Sequence, residues 1–397
     1  MQAWILYIRC RRWHAAEMKR PGFYFIEPSK VRTYHITLID GYLAAIVSST
    51  LIVNSHDVIF CACKSLFDNL SVSVRGQLTY EPIPVIDQDK HHVVRKSLLE
   101  FFVSLRYLLR LRQGDIAFFS CMIPTALLML EIVNRVLRKK NIFVVIHGEI
   151  EAIFAPERLS RRSIGYWALK WLHAHSRDSS INVVVIDDFI KATLSGRYPD
   201  RFPNESIFVV HHPITAATVT TPQTPAGPAA CFIGYRTPAK GFDDFKRLSV
   251  SHPNIRFLAI GAGKIEDIRS GFATQISGGE QFSQAISQCS IAIFPYKSAY
   301  DCSLSAAALD ALSAGVHIVA TDRASFVGLS KDLGTEYVTT YRSTADLGEL
   351  LKTPGWIAER QCGRSRRLAL LASSKFGLGS VRNDFERIVS SVFGNTV

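Results

Sequence analysis

The chain has 397 residues, 48% of them hydrophobic and 11% aromatic, more than one typical domain and enough apolar mass for two full cores of about 200 residues each. A globally disordered chain is thereby excluded. Lys and Arg number 46 against 34 Asp and Glu, a net charge of +12, which favours polyanionic partners: nucleic acid, anionic lipid or phosphorylated substrates. No zinc-finger, homeodomain or RNA-recognition signature accompanies the charge, so nucleic acid is not expected among the partners.

From the N-terminus, Trp4, Arg9, Arg11, Arg12 and Trp13 form a basic-aromatic patch. The charge follows a short apolar run, the reverse of a signal peptide, and no window approaches the roughly 18 apolar residues of a spanning helix. The expectation is a cytoplasmic protein, placed at the inner face of the membrane if its basic surface is used. The eight cysteines are scattered, mostly in apolar runs such as Ile59 to Cys63, with no paired CxxC set; they read as buried reduced thiols.

Apolar, β-branched runs then alternate with helical patterns. Strands are predicted at His35–Leu38, Val58–Ala62, Asp115–Ser120, Ile142–Ile146, Ile181–Ile186 and Ile207–Val210. Helices are predicted at Gly41–Val53, His92–Arg112, Pro124–Lys140, Arg161–Ser176 and Asp187–Gly196. Such alternation predicts a parallel sheet covered on both faces. The helix over 96–112 mixes apolar positions with arginines, a pattern shared by core helices and by helices lying on anionic membranes. The strand ending at Ile146 leads into His147-Gly148-Glu149, where a histidine would face a cleft and share a proton; a capping histidine is the plainer alternative. His211-His212 invites a metal reading, but adjacent residues on a strand point to opposite faces, and a structural role is the expectation.

Thr215 to Ala230, rich in Thr, Pro, Ala and Gly, reads as an extended linker. The expected division is an N-terminal domain over 1–214, a linker over 215–229, a C-terminal domain over 230–380 and a final helix over 381–397. After the linker, strands are predicted at Ala230–Ile233, Ile255–Ile260, Ile291–Phe294, Val316–Ala320 and Glu336–Thr339. Phe385, Ile388, Val389, Val392 and Phe393 form a helical apolar stripe at the chain's end.

The stretch from Phe294-Pro295-Tyr296 to Gly315 carries the most chemistry. It runs from a short strand through a polar loop into an alanine-rich helix. The first amides of a helix lack partners and attract anions. Small side chains in this loop would let a phosphate approach them, and Asp310 puts a carboxylate within reach, suited to ribose hydroxyls. Upstream, Gly234 ends a strand and is followed by Arg236 and, at a helix start, Lys240, which can supply cationic charge to an anion. Gly261 and Gly263 follow another strand as a turn that could line the same pocket, though such glycines are common.

These segments resemble the donor-binding half of the retaining glycosyltransferases of family 4. That family has the GT-B fold, an α/β architecture of two facing Rossmann-like domains with parallel sheets. Its pattern is a Glu, seven residues, a second Glu and a Gly five residues later, with a Gly-Phe-Gly-like turn after the first Glu. Counted back from Gly315, Asp310 falls on the second acid, Ser303-Leu304-Ser305 on the turn, and Cys302, beside Asp301, on the first acid. A thiol at that position departs from the pattern. The resemblance spans about residues 140 to 325. It implies a metal-independent, retaining transfer of a sugar from a nucleotide-sugar donor, a UDP-sugar for preference, to a glycan or lipid-linked acceptor. The nucleotide sugar would be substrate, and no cofactor is called for. Arg236 and Lys240 would hold the diphosphate. Gly234, Gly261, Tyr296, Asp301, Cys302, Ser303, Leu304, Ser305 and Asp310 would line the donor site, and His147 would lie near the reacting centre. The last helix would cross back to the N-terminal domain. Peripheral contact with anionic membrane fits the basic charge, and exopolysaccharide assembly is the pathway expected. A catalytically silent scaffold of the same fold, argued by Cys302, and a sugar-nucleotide epimerase stay open.

Overall fold

The computed structural model describes residues 20–29, 36–86, 93–147, 151, 164–175, 179–200, 202, 207–214, 227–261, 263–276, 278–297, 302–361 and 365–394. Asp301, Gly148, Glu149, most of the linker and the basic-aromatic patch near the start lie outside them.

Two sheets organise the chain. The first holds β1 (Gly22–Ile26), β2 (Asp57–Ala62), β3 (Thr79–Pro82), β4 (Ile116–Phe119), β5 (Ile142–Val145), β6 (Asn182–Val185) and β7 (Ile207–Val209). Its order is β3-β2-β1-β4-β5-β6-β7, and every pair is parallel. The second holds β8 (Ala229–Ile233), β9 (Arg256–Gly261), β10 (Lys264–Asp267), β11 (Ala273–Gln275), β12 (Ile291–Phe294), β13 (His317–Thr321) and β14 (Val338–Tyr341). Its order is β11-β10-β9-β8-β12-β13-β14, with only β10 and β11 antiparallel to their neighbours. Central strands such as β1, β4, β8 and β12 are buried at every position, as strands covered by helices on both faces must be. In both sheets the order reverses beside the first strand of the unit, between β1 and β4 and between β8 and β12. Ligands of open α/β sheets bind at the carboxyl ends of such strands.

The first strand departs from expectation. Residues 36–38 are not extended but open the helix Ile36–Val47, which buries Leu38, Ile39, Tyr42, Leu43 and Ile46. That 3.6-residue spacing wins over the local β-branched preference. The true first strand is Gly22–Ile26. The single helix predicted over Gly41–Val53 is two, because Ser49 caps a second one, Thr50–Ser55, by accepting from the Ile52 amide at 3.2 Å. The β10–β11 hairpin and β3 were not expected.

The final helix, Leu378–Gly394, packs against Ile36–Val47 of the first half. Phe385, fully buried, meets Tyr42 edge-on at 5.4 Å between ring centres and Phe118 at 5.1 Å. The apolar stripe expected at the chain's end thus completes the core of the opposite lobe.

Candidate functional site

The carboxyl ends of β8, β9 and β12 are locked together by backbone. Gly234, at φ +106°, donates to the Ile260 carbonyl at 2.8 Å. Gly261 lies directly on it: a Cβ there would stand 2.7 Å from the Gly234 oxygen. Gly241, at φ +69°, approaches β12 so closely that a Cβ would overlap the Pro295 oxygen. The Lys297 amide donates to the Ala239 carbonyl at 2.9 Å. These contacts seat the short turn Pro238–Lys240, capped by Thr237, against the start of the loop that follows β12.

Lys240 is the product of that seating. Its Nζ lies 5.5 Å from the centre of the buried Tyr296 ring and 3.4 Å from where a Gly234 Cβ would stand. No carboxylate among the described residues pairs with it, and burial lowers its pKa. A partly desolvated ammonium without a counter-ion favours an incoming anion. Arg236 is held differently. Its Nη1 donates to Glu266 of β10 at 2.7 Å, and its guanidinium lies over Phe242. Its Nη2 is buried without a hydrogen-bond partner among the described residues.

The loop after β12 feeds the helix Ala306–Ser313. Tyr296 shares a hydrogen bond of 3.0 Å with the Ser305 hydroxyl. Ser305 stands at the N-cap, yet its side chain makes no capping bond; it is turned to Tyr296 instead. The Ala306 and Ala307 amides therefore have no acceptor among the described residues. A Cβ at Gly234 would stand 3.9 Å from the Ala307 methyl and 3.4 Å from Lys240 Nζ, so the helix start and Lys240 meet at the same strand end. Further along the helix, Asp310 is half-buried with no hydrogen-bonding or ion-pairing partner among the described residues, and burial pushes its pKa up to about 7. Ser303 and Leu304 are buried beside the turn. Cys302 is fully buried, and its backbone amide and the Ser303 hydroxyl both donate to one carboxylate oxygen of Glu151, the latter at 2.9 Å. Glu151 belongs to the other half of the chain.

Across the cleft, the carboxyl ends of β1, β4 and β5 carry a polar cluster. His147 Nε2 lies 2.9 Å from the Ser120 carbonyl. The Ser120 hydroxyl donates to Glu27 at 2.7 Å. Glu100 accepts from the Ser29 hydroxyl at 2.7 Å and the Ile123 amide at 2.9 Å. Burial pushes Glu100 up to about 7 against those bonds and the nearby Lys96. Glu27, Glu100 and Glu151 escaped the sequence reading. Glu27 follows a five-residue apolar strand directly, which is a legible position; the other two are recognisable only by three-dimensional contact.

His211 and His212 lie just beyond β7 and have separate surroundings. Burial lowers the His212 pKa to about 4, and its Nδ1 lies 2.9 Å from the Pro213 carbonyl. His211 bridges Asp384 of the final helix at 2.8 Å and Asp188 at 3.0 Å. Burial opposes its charge, but the two aspartates outweigh it and raise its pKa to about 9. Lys375 joins the same junction, pairing with Asp187 at 3.3 Å and with Asp332. Among the described residues no group of three or more His, Cys, Asp or Glu could hold a metal ion, and no helix is long and apolar enough to cross a membrane.

No protein-family model matches the sequence, and no curated protein matches it. Solved structures do match the fold. HepE of Anabaena, solved with UDP and glucose, superposes with a TM-score of 0.62 at 11% identity, over 93% of this chain and 99% of that one. The sucrose-phosphate synthase of Thermosynechococcus elongatus gives 0.61 at 12% identity, over 94% and 100%. The lipopolysaccharide outer core galactosyltransferase WaaB gives 0.59 at 11%, over 93% and 99%. The architecture is therefore GT-B: two Rossmann-like units whose sheets present their switch points to one cleft.

Proposed function

We propose that the chain is a glycosyltransferase of the kind its donor segments resemble, family 4, taking a sugar from a UDP-sugar to a glycan or lipid-linked acceptor. The observation that carries this reading is the convergence, at the β8–β12 switch point, of Lys240, two helix amides and Asp310, none of which has a partner among the described residues. Such a set matches a nucleoside diphosphate in charge and in order: cation and amides for phosphate, carboxylate for ribose hydroxyls. HepE, of the same fold, is also solved with UDP-glucose, which supports UDP as the nucleotide.

In this reading Lys240 and the Ala306 and Ala307 amides stabilise the negative charge that develops on the leaving diphosphate. Preorganised charge in a water-poor cleft is the main lever for such a step. Arg236 adds a donor through Nη2 without leaving Glu266. The acceptor enters over the β1–β4 switch point, past Glu27, Ser120 and His147. By the resemblance the transfer retains the anomeric configuration and uses no metal. The N-terminal lobe meets anionic membrane at the inner face through the helix Val93–Arg110, and exopolysaccharide assembly is the process served. The domains are 1–214 and 230–380, joined by 215–229, with 381–397 closing on the first.

The test is release of free nucleotide from a panel of UDP-, GDP- and dTDP-sugars by purified protein, with Lys240→Ala alongside. Release from one donor, abolished in the variant, supports the enzyme. Failure of wild-type protein to bind any nucleoside diphosphate sinks it in favour of a silent scaffold.

A further inference from the structure

Glu151 lies four residues beyond His147, on the N-terminal side of the cleft, and its side chain is completely buried. It reaches 151 positions along the chain to the Cys302 amide and 152 to the Ser303 hydroxyl. A buried carboxyl group is costly unless donors meet it. Both donors come from the turn that opens the donor helix. That turn is consequently pinned at two points. Within its own lobe, Tyr296 holds the Ser305 hydroxyl; from the opposite lobe, Glu151 holds residues 302 and 303.

This bears on the thiol at 302. The backbone N–H of residue 302 meets a carboxylate there, so an acid at position 302 is not required for a carboxylate to stand beside the turn. The carboxylate arrives from the other lobe. Any motion that parts the lobes removes it.

We propose that Glu151 is a positioning residue that makes the donor site complete only when the lobes are together: it sets the 302–303 turn for the sugar end of the donor. The proposal rests on the donor-site reading above, and it separates nucleotide binding from turnover. The nucleotide is held by Lys240, the open amides and Asp310, all on the C-terminal lobe. The sugar's placement depends on the cross-lobe contact.

The experiment measures UDP binding by calorimetry, turnover of the donor that wild-type protein consumes, and the radius of gyration by small-angle scattering. Glu151→Ala is expected to bind UDP within about twofold of wild type. Its kcat should fall at least about tenfold, the loss of both hydrogen bonds to the turn, and its radius of gyration should rise. Glu151→Gln keeps an oxygen that accepts the same two bonds, so its kcat should stay within about threefold and its scattering unchanged. Ser303→Ala, which removes one bond at a milder site, should show a smaller loss of kcat in the same direction and covers the case in which Glu151→Ala does not fold. The proposal is overturned by wild-type turnover in Glu151→Ala, by an equal loss in Glu151→Gln, or by unchanged scattering in Glu151→Ala. Failure of the donor-site reading looks different: Lys240→Ala would bind UDP as well as wild type, while the scattering comparison still tests the lobe contact.

Discussion

The Lys240 ammonium stands 5.5 Å from the centre of the Tyr296 ring, and Tyr296 in turn holds the hydroxyl of Ser305 at 3.0 Å. One aromatic residue thereby touches both the cation and the helix start of the proposed anion site. Tyr296→Phe keeps the ring but frees Ser305, whose hydroxyl can then cap its own helix as N-cap serines ordinarily do. A capped helix has one amide fewer for phosphate. UDP affinity of Tyr296→Phe should fall by about three- to tenfold, the worth of one hydrogen bond, whereas Lys240→Ala should lose more, about tenfold to a hundredfold. Calorimetric titration with UDP orders the two, and equal affinity in all three proteins would refute the arrangement.

Gly241 tests how rigidly the two strand ends are joined. A methyl group there would overlap the Pro295 oxygen, and the residue sits at φ +69°. Backbone on both sides leaves nothing flexible to yield. Gly241→Ala should destabilise the chain by at least about 3 kcal/mol, combining left-handed strain with a displaced loop. Gly271, also left-handed at φ +70° but with nothing near a Cβ, should cost only the backbone strain, about 1–2 kcal/mol. Urea melts of the two variants distinguish contact from strain.

Asp310 is kept at a cost to stability. Its folded pKa is raised from 3.8 to about 7 by burial, so the penalty is absent where the carboxyl is protonated in both states. It grows as pH rises from 4 and is full above 7. Asp310→Asn should therefore stabilise the protein at pH 8, by about 1–3 kcal/mol, and do little at pH 4.5. The same variant should bind UDP more weakly, the exchange expected at a binding site. A stability gain without any loss of UDP affinity would remove Asp310 from the site.

Much of this arrangement is legible in the sequence, and the exceptions have physical reasons. Strands β8, β12 and β13 are short apolar runs, the first two closed by glycine or proline, and they fall where periodicity puts them. The helix Ala306–Ser313 declares itself by its alanines, and Asp310 by interrupting them. Residues 35–38 mislead because His-Ile-Thr-Leu satisfies a strand locally; only the longer spacing through Ile46 reveals the helix. The β10–β11 hairpin, half-buried to exposed throughout, has no apolar pattern to betray it, so the Glu266 partner of Arg236 was hidden too. Glu151 was invisible for another reason: its meaning lies in a contact across two lobes, and nothing local distinguishes it from Glu149.

His211 predicts a second, opposite pH dependence. Its pKa rises on folding from 6.5 to about 9 through Asp188 and Asp384. A raised pKa means that the protonated form is favoured in the fold, so the contribution is fully present below pH 6.5 and is lost as pH climbs through 9. Melting temperature should fall between these values, by an amount equivalent to about 1–3 kcal/mol. In His211→Asn the destabilisation relative to wild type should be full at pH 6 and vanish near pH 9.5. Because Asp384 belongs to the helix that carries Phe385 into the opposite core, undocking of that helix should show in the same melts as a lower cooperativity.

The surface of the N-terminal lobe yields the last prediction. Along the helix Val93–Arg110, Val94, Leu98, Phe102 and Leu109 are exposed and lie on one stripe. Beside it, the helix Pro124–Leu137 exposes Ile132 and Val136, the latter at 80%. Both helices end at a cavity of about 1150 Å³ lined by Arg112, Arg138 and Lys140 among others. Apolar side chains rimmed by cations suit the interface of an anionic bilayer, where each basic residue near the surface contributes about 1 kcal/mol. The protein should co-sediment with phosphatidylglycerol vesicles, less at high salt, and poorly with phosphatidylcholine alone. Reversing two charges, Arg138→Glu with Lys140→Glu, should weaken binding more than about tenfold. Phe102→Asp should weaken it further at any salt, since it removes the apolar part. UDP binding, proposed for the other lobe, should not change in any of these variants. Equal sedimentation with neutral and anionic vesicles would rule out the electrostatic half of the surface, and none with either would rule out the surface.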